Sequence, residues 1–94
     1  MTKLKTSRQL ERHFKGISNH HRIGILLAVD KNKNITVDQL AVDLKANFKT
    51  ISEHTRRLVQ AGLLNKEYVG RQVVHTLSPY GKQFVNFIKS FQHS

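Results

Sequence analysis

Apolar residues recur along this chain with two different periods. Leu10, Phe14 and Ile17 fall four and three apart, the spacing that lines one face of a helix, and predict a first helix over about 7–16. From about 20 to 31, Ile23, Ile25, Leu26, Leu27 and Val29 occupy most sides of the next segment. That predicts a helix running through the core, with Asn19 as its N-cap. Asn32-Lys33-Asn34 is a polar turn. Thr36 with Gln39 three residues on is a capping-box pattern, and Asp38 suits the positive end of the helix dipole. Val37, Leu40, Ala41 and Leu44 give this third helix its apolar face, ending near Lys45. A fourth helix is predicted from Phe48 to about Ala61, with Ile51, Thr55, Leu58 and Val59 inward and Gly62 as C-terminal cap.

The period then changes. Leu64–Val69 and Gln72–Leu77 read as strands joined by Gly70-Arg71, and Gly at the first central position is the type II′ hairpin signature. Ser78-Pro79 reads as N-cap and first helical residue. The last helix, about 79–91, carries Tyr80, Phe84, Phe87, Ile88 and Phe91. The order is α-α-α-α-β-β-α: mainly α, with one small β-hairpin. A short turn between the third and fourth helices predicts a helix-turn-helix, and the hairpin that follows makes it a winged helix-turn-helix.

Length and charge narrow the function. Residues 1–94 are the size of a single domain, with room for one small core and none for a deep catalytic cavity. Sixteen Lys and Arg against six Asp and Glu leave a formal charge of +10. Such an excess points to an anionic partner, nucleic acid first and an anionic membrane surface second. Cysteine is absent, which removes disulfides, thiolate catalysis and Cys-ligated zinc. The longest apolar run, Ile23 to Val29, is seven residues, far short of the ~20 of a membrane span, and no signal-peptide pattern opens the chain. A soluble, cytoplasmic, nucleoid-associated protein is the expectation. The six acids, Glu11, Asp30, Asp38, Asp43, Glu53 and Glu67, are scattered, and no Gly-rich phosphate loop or nucleophile elbow is present; no enzyme is expected.

Three segments carry a family resemblance. Ser18-Asn19-His20-His21-Arg22-Ile23-Gly24-Ile25-Leu26 resembles the segment near the start of ArsR-type regulators. Ile51-Ser52-Glu53-His54-Thr55-Arg56-Arg57-Leu58-Val59-Gln60-Ala61-Gly62-Leu63-Leu64 resembles their recognition helix. Gly70-Arg71-Gln72-Val73-Val74-His75-Thr76-Leu77 resembles their wing. The likeness covers about Ile17 to Leu77. The stretch Leu77-Ser78-Pro79-Tyr80-Gly81-Lys82 is also similar to MarR-type regulators. The resemblance implies DNA binding, repression by promoter occupancy, and a homodimer built from the first and last helices. It does not carry over metal sensing. Where metal sensors of the family place cysteines, this chain has Val37, Asp38, Gln39 and Ala41; its last helix has no acid, and His93 is that region's only histidine.

The outward face of the fourth helix supplies the reading chemistry. In a helix-turn-helix the N-terminal residues of the second helix meet base edges, so Lys49, Thr50, Ser52 and Glu53 are the base-edge candidates. Lys donates to guanine and Glu accepts from cytosine. Glu53 could instead serve as an internal partner of Arg56 or Arg57, and those two arginines are the phosphate candidates. On the wing, Arg71 and Gln72 are placed to enter a minor groove or clamp phosphate. Lys66 and Tyr68 share one strand face, with His75 opposite Lys66, and read as shielding. Without the fold, a charged helix face like this reads equally well as a solvated surface.

Six histidines raise the question of metal. His20 and His21 are neighbours whose side chains leave a helix ~100° apart, and no His-x-x-x-His pair exists, whereas zinc needs three or four converging ligands. They are read as surface or packing residues, with no metal and no other cofactor. His54 serves packing or backbone orientation as readily as a base contact. On the terminal helices Leu10, Phe14, Phe84, Phe87, Ile88 and Phe91 are the candidate dimer contacts. The reading is a sequence-specific, homodimeric repressor on a pseudo-palindromic duplex site, its partners DNA and a second copy, with no membrane and no evident small-molecule effector. The alternatives are a DNA-architectural protein with little sequence preference and a protein-binding winged helix.

Overall fold

The computed structural model describes residues 3–93. Five helices and one hairpin follow in the expected order: α1 (Ser7–Ile17), α2 (His20–Lys31), α3 (Val37–Asp43), α4 (Phe48–Gln60), β1 (Leu64–Val69), β2 (Gln72–Leu77) and α5 (Pro79–Gln92). Local chemistry sets the boundaries. Asn19 Oδ1 accepts from the amides of His21 and Arg22, opening α2. Thr36 and Gln39 form the reciprocal capping box of α3, at 3.2 and 3.0 Å, and Thr6 and Gln9 form a second one at the start of α1. The Asn47 side chain caps α4. Each satisfies amides that a helix leaves unpaired at its first turn.

The α3–α4 connection is longer than the sequence suggests. Helix α3 stops at Asp43, two residues before Lys45, because Lys45 adopts φ +51°. Its amide donates to Val42 O and that of Ala46 to Ala41 O, the paired bonds of a Schellman ending made without glycine. Helix α4 ends in the same way at Gly62, φ +77°, with Gly62 N to Val59 O and Leu63 N to Leu58 O, both at 3.0 Å.

One core joins these elements. Ile25, Leu26 and Val29 of α2, Leu40 of α3, Ile51 and Leu58 of α4, Leu63 after it and Val85 of α5 are all at most 1% exposed. The strands pair in antiparallel register from Leu64–Leu77 to Val69–Gln72. Gly70 sits at φ +62° while Arg71 keeps a negative φ, as a type II′ turn requires. At the base of the hairpin, Ile35 pairs with His75 in a further bridge.

The stripe on α5 divides. Val85, absent from the sequence-derived set, is its buried member, and Phe84 and Ile88 pack half-buried against the core. Phe87 and Phe91 stay 50% and 65% exposed. About four turns of helix cannot aim every aromatic at one line, so the stripe serves two surfaces. Among the described residues no helix is long and apolar enough to cross a membrane.

Candidate nucleic-acid interface

Ile51, Thr55 and Leu58 anchor α4 to the core, and Thr55 Oγ1 donates to Ile51 O at 2.7 Å, so this buried hydroxyl is satisfied. With those residues inward, the ~100° step per residue turns Lys49, Glu53, Arg56, Arg57 and Gln60 outward. Lys49, Arg56, Arg57 and Gln60 are exposed, while Thr50 and Ser52 lie half-buried on the two flanks. Phe48, the first residue of the helix, is half exposed.

Of the two roles open to Glu53, the structure shows the internal one. Its Oε1 accepts from Arg56 Nη2 at 2.7 Å and from Arg57 Nε at 3.2 Å. These bonds hold its carboxyl below the ordinary carboxylate range. All three side chains remain roughly half exposed, so the pairs add little stability. Their effect is geometric: one carboxylate gathers two guanidiniums and leaves their other N–H groups facing solvent.

His54 is tied to α2. Arg22 Nη1 lies 3.0 Å from His54 Nδ1. A guanidinium can only donate, so Nδ1 must offer a lone pair and the proton of the neutral ring sits on Nε2. Desolvation, then the positive charge of Arg22, pushes the His54 pKa down. The His21 ring stacks on His54 at 5.2 Å and the His20 ring lies 4.1 Å from His21. The rings of the two adjacent histidines therefore lie together, although neighbouring side chains leave a helix ~100° apart. No group of three or more His, Cys, Asp or Glu among the described residues is placed to hold a metal ion.

The wing projects beyond the body. Only Leu64 of β1 is buried, and Arg71 and Gln72 at the tip are exposed. Its inner anchor is His75, 2% exposed, whose amide and Nδ1 lie 3.0 and 3.1 Å from Ile35 O. Burial pushes its pKa down. Helices α1 and α5 present Leu10, Phe14, Tyr80, Phe87 and Phe91, each at least 41% exposed. Phe14 meets Phe84 edge-on at 5.4 Å, and Phe87 meets Phe91 at 4.8 Å. Lys5 Nζ lies 4.4 Å above the Tyr80 ring. Arg22 and Phe48 are not among the candidate residues read from the sequence. The Arg22–His54 contact joins residues 32 apart, and no local pattern reports it.

The α3-turn-α4 unit and its hairpin define a winged helix-turn-helix. The sequence profile of the bacterial regulatory protein, arsR family, matches residues 19–66, a span that takes in the first resembling segment from Asn19 onward and all of the second, and ends within the wing's first strand. The chain belongs to this family. The fold is shared with HlyU from Vibrio cholerae (TM-score 0.84, 24% identity, 98% of this chain and 100% of that one). It is shared too with a homodimeric winged helix-turn-helix DNA-binding domain from Mycobacterium bovis (TM-score 0.81, 17% identity, 98% and 91%). A MarR protein from Peptoclostridium difficile shares the fold over 92% of this chain and 57% of its own (TM-score 0.78, 16% identity). No curated protein matches the chain.

Proposed function

We propose that the protein is a sequence-specific, double-stranded DNA-binding repressor that acts as a homodimer on a pseudo-palindromic operator. One observation carries the reading: the free face of α4 presents Lys49, Arg56 and Arg57 beside an exposed wing tip bearing Arg71, on a chain of charge +10. Lys49, Thr50 and Ser52 are the base-edge residues. Arg56 and Arg57, gathered by Glu53, bind phosphate, and Arg71 with Gln72 reaches the neighbouring minor groove. The engagement of Glu53 removes it from base reading and leaves fewer determinants of sequence, which is the feature that favours the architectural alternative.

The second copy is expected on the α1–α5 face, where Leu10, Phe14, Phe87 and Phe91 expose apolar surface and Phe84 and Ile88 support it from beneath. A twofold dimer would set its two reading helices about 34 Å apart, one turn of duplex. Repression then follows from occupying a promoter, in the cytoplasm at the nucleoid, with no catalysis.

Selection from random duplex DNA at physiological salt tests the proposal. An enriched inverted repeat with half-sites one turn apart supports it. Binding without enrichment moves the protein to the architectural class, and absence of binding refutes both.

A further inference from the structure

The reading helix is held to the body in two ways. Ile51, Thr55 and Leu58 bury its inner face. Burial of apolar surface has no direction, so it sets how deep α4 sits and leaves its roll about its own axis loosely defined. A hydrogen bond on the flank is directional. Arg22 Nη1 meets His54 Nδ1 at 3.0 Å, and Arg22 Nη2 donates to Lys15 O at the end of α1, at 3.4 Å. One guanidinium thus ties α4 to two other helices. Its own backbone is fixed, because the Arg22 amide donates to the Asn19 cap of α2. His54 follows Glu53, which gathers Arg56 and Arg57, so the tie acts on the turn of α4 that carries those arginines.

The tie depends on one proton. Neutral His54 with a bare Nδ1 accepts from Arg22, whereas an imidazolium carries N–H on both nitrogens and accepts in no orientation. The charges that act on the ring are those of Arg22 and His21 from α2 and of Arg57 and Glu53 on α4 itself. From α1 comes Lys15, whose ammonium is paired with Glu11 at 3.5 Å. His21 stacks on His54, and the His20 ring lies against His21. Of these neighbours on α2 and α4 only Glu53 is anionic, and Arg56 and Arg57 occupy its carboxylate. Arg22 Nε is already buried without an acceptor, so a guanidinium that also loses His54 is left with unsatisfied donors. Protonation therefore drives the ring and the guanidinium apart.

We propose that Arg22 and His54 are positioning residues for DNA binding, a latch that sets the roll of α4 only while His54 is neutral, so that acidification frees the reading helix and lowers affinity for the duplex. The proposal rests on the DNA-binding reading above and adds a proton as its regulator. Its sign opposes that of charge alone, since added positive charge tightens the hold on a polyanion. His54 titrates below the ordinary 6.5, so the latch is closed above that pH and opens below it. Once the closed form is the minor one, affinity falls by up to about tenfold per pH unit for each protomer.

Fluorescence anisotropy on one duplex from pH 8 to pH 5, at constant salt, tests the latch, with circular dichroism on the same samples to report folding. Wild-type affinity should hold above neutrality and fall below it. His54→Asn keeps an acceptor near the Nδ1 position and does not titrate; it should bind as the wild type at pH 8 and show no acid loss. His54→Leu lacks the acceptor and should bind about tenfold more weakly at pH 8, the order of a lost charge-assisted hydrogen bond. Linkage is reciprocal, so a nitrogen NMR titration of the wild-type ring should find a lower His54 pKa on the duplex than in the free protein. Phosphates near a histidine of purely structural role would raise it. Wild-type affinity that holds or rises down to pH 5, an acid loss retained by His54→Asn, or a His54 pKa raised on the duplex overturns the latch while DNA binding stands. If the wild type binds no duplex at pH 8, the reading beneath the proposal fails with it.

Discussion

Alanine placed at two helical glycines should change stability in opposite directions. Gly24 lies inside α2, and a Cβ there would meet only the Leu44 side chain, at 3.5 Å from Cδ2 and 4.0 Å from Cδ1, ordinary contacts. Glycine inside a helix is less stable than alanine by roughly 0.5–1 kcal/mol, and the new methyl covers part of Leu44. Gly24→Ala should therefore stabilise by about 1 kcal/mol, or roughly 4–8 °C in Tm for a domain of this size. Gly81 is different. It is the third residue of α5, where Ser78 Oγ accepts its amide at 3.0 Å and donates to Gly62 O at 2.6 Å. A Cβ there would overlap the Leu63 carbonyl oxygen and sit 3.2 Å from its carbon and 3.4 Å from Leu77 Cδ2. The obstruction is backbone, and Leu63 is fully buried, so α5 must lift from the end of α4. Such overpacking costs about 1–3 kcal/mol, more than the propensity gain at a first-turn position. Urea unfolding followed by circular dichroism, at one fixed protein concentration so that the proposed self-association contributes equally, measures both variants. A Gly24→Ala protein no more stable than the wild type, or a Gly81→Ala protein equally stable, would refute the packing argument.

Arg71→Ala should weaken binding to all sequences alike and reduce the salt slope by about 0.9 per lost contact; an unchanged slope removes the wing from the interface. Lys49→Ala should alter base preference at one position per half-site by about 1–3 kcal/mol, seen by repeating the selection, whereas a uniform loss reassigns it to phosphate. Phe87→Glu should convert the dimer to monomer in sedimentation while leaving helicity intact, and a persistent dimer would place the interface elsewhere. Acidification should destabilise the fold. Burial is the leading cause that holds His54 and His75 below their ordinary pKa, so the unfolded chain takes up protons first, near pH ~6.5. Stability is full above that pH and is lost as pH falls toward the folded values. Denaturation midpoints at pH 8 and pH 5.5 should show the drop, and His75→Gln should diminish it.

The elements were legible where one residue type decides the local geometry. Asn19, Thr36 with Gln39, Gly62, Gly70 and Ser78-Pro79 each solve a problem of unpaired amides or positive φ that few residues solve, so they mark boundaries directly. Lys45 does not: nothing in a lysine announces a left-handed residue, and α3 ends two positions early because of it. On α5 the large aromatics draw attention from Val85, a smaller side chain that alone faces the centre of the core. The same limit governs the interface. Outward positions on α4 follow from its inward ones, but the engagement of Glu53 depended on rotamers, and the bond from Arg22 to His54 on a tertiary approach between helices.

The bridge between Ile35 and His75 bears on the entropy of docking. A two-stranded hairpin alone is marginal in water, and a loose wing would have to be ordered at the moment of binding, at roughly 1–2 kcal/mol per residue fixed. Here Asn34 N donates to His75 O at 3.1 Å, and His75 N returns a bond to Ile35 O, so the root of the hairpin is already a three-stranded patch fastened to the segment that leads into α3. Reading helix and wing thus swing as one rigid caliper, and only the few residues around Gly70 and Arg71 remain to be immobilised when the jaws close. Amide hydrogens at the root should exchange slowly in the free protein, and those at the tip should slow only on the duplex.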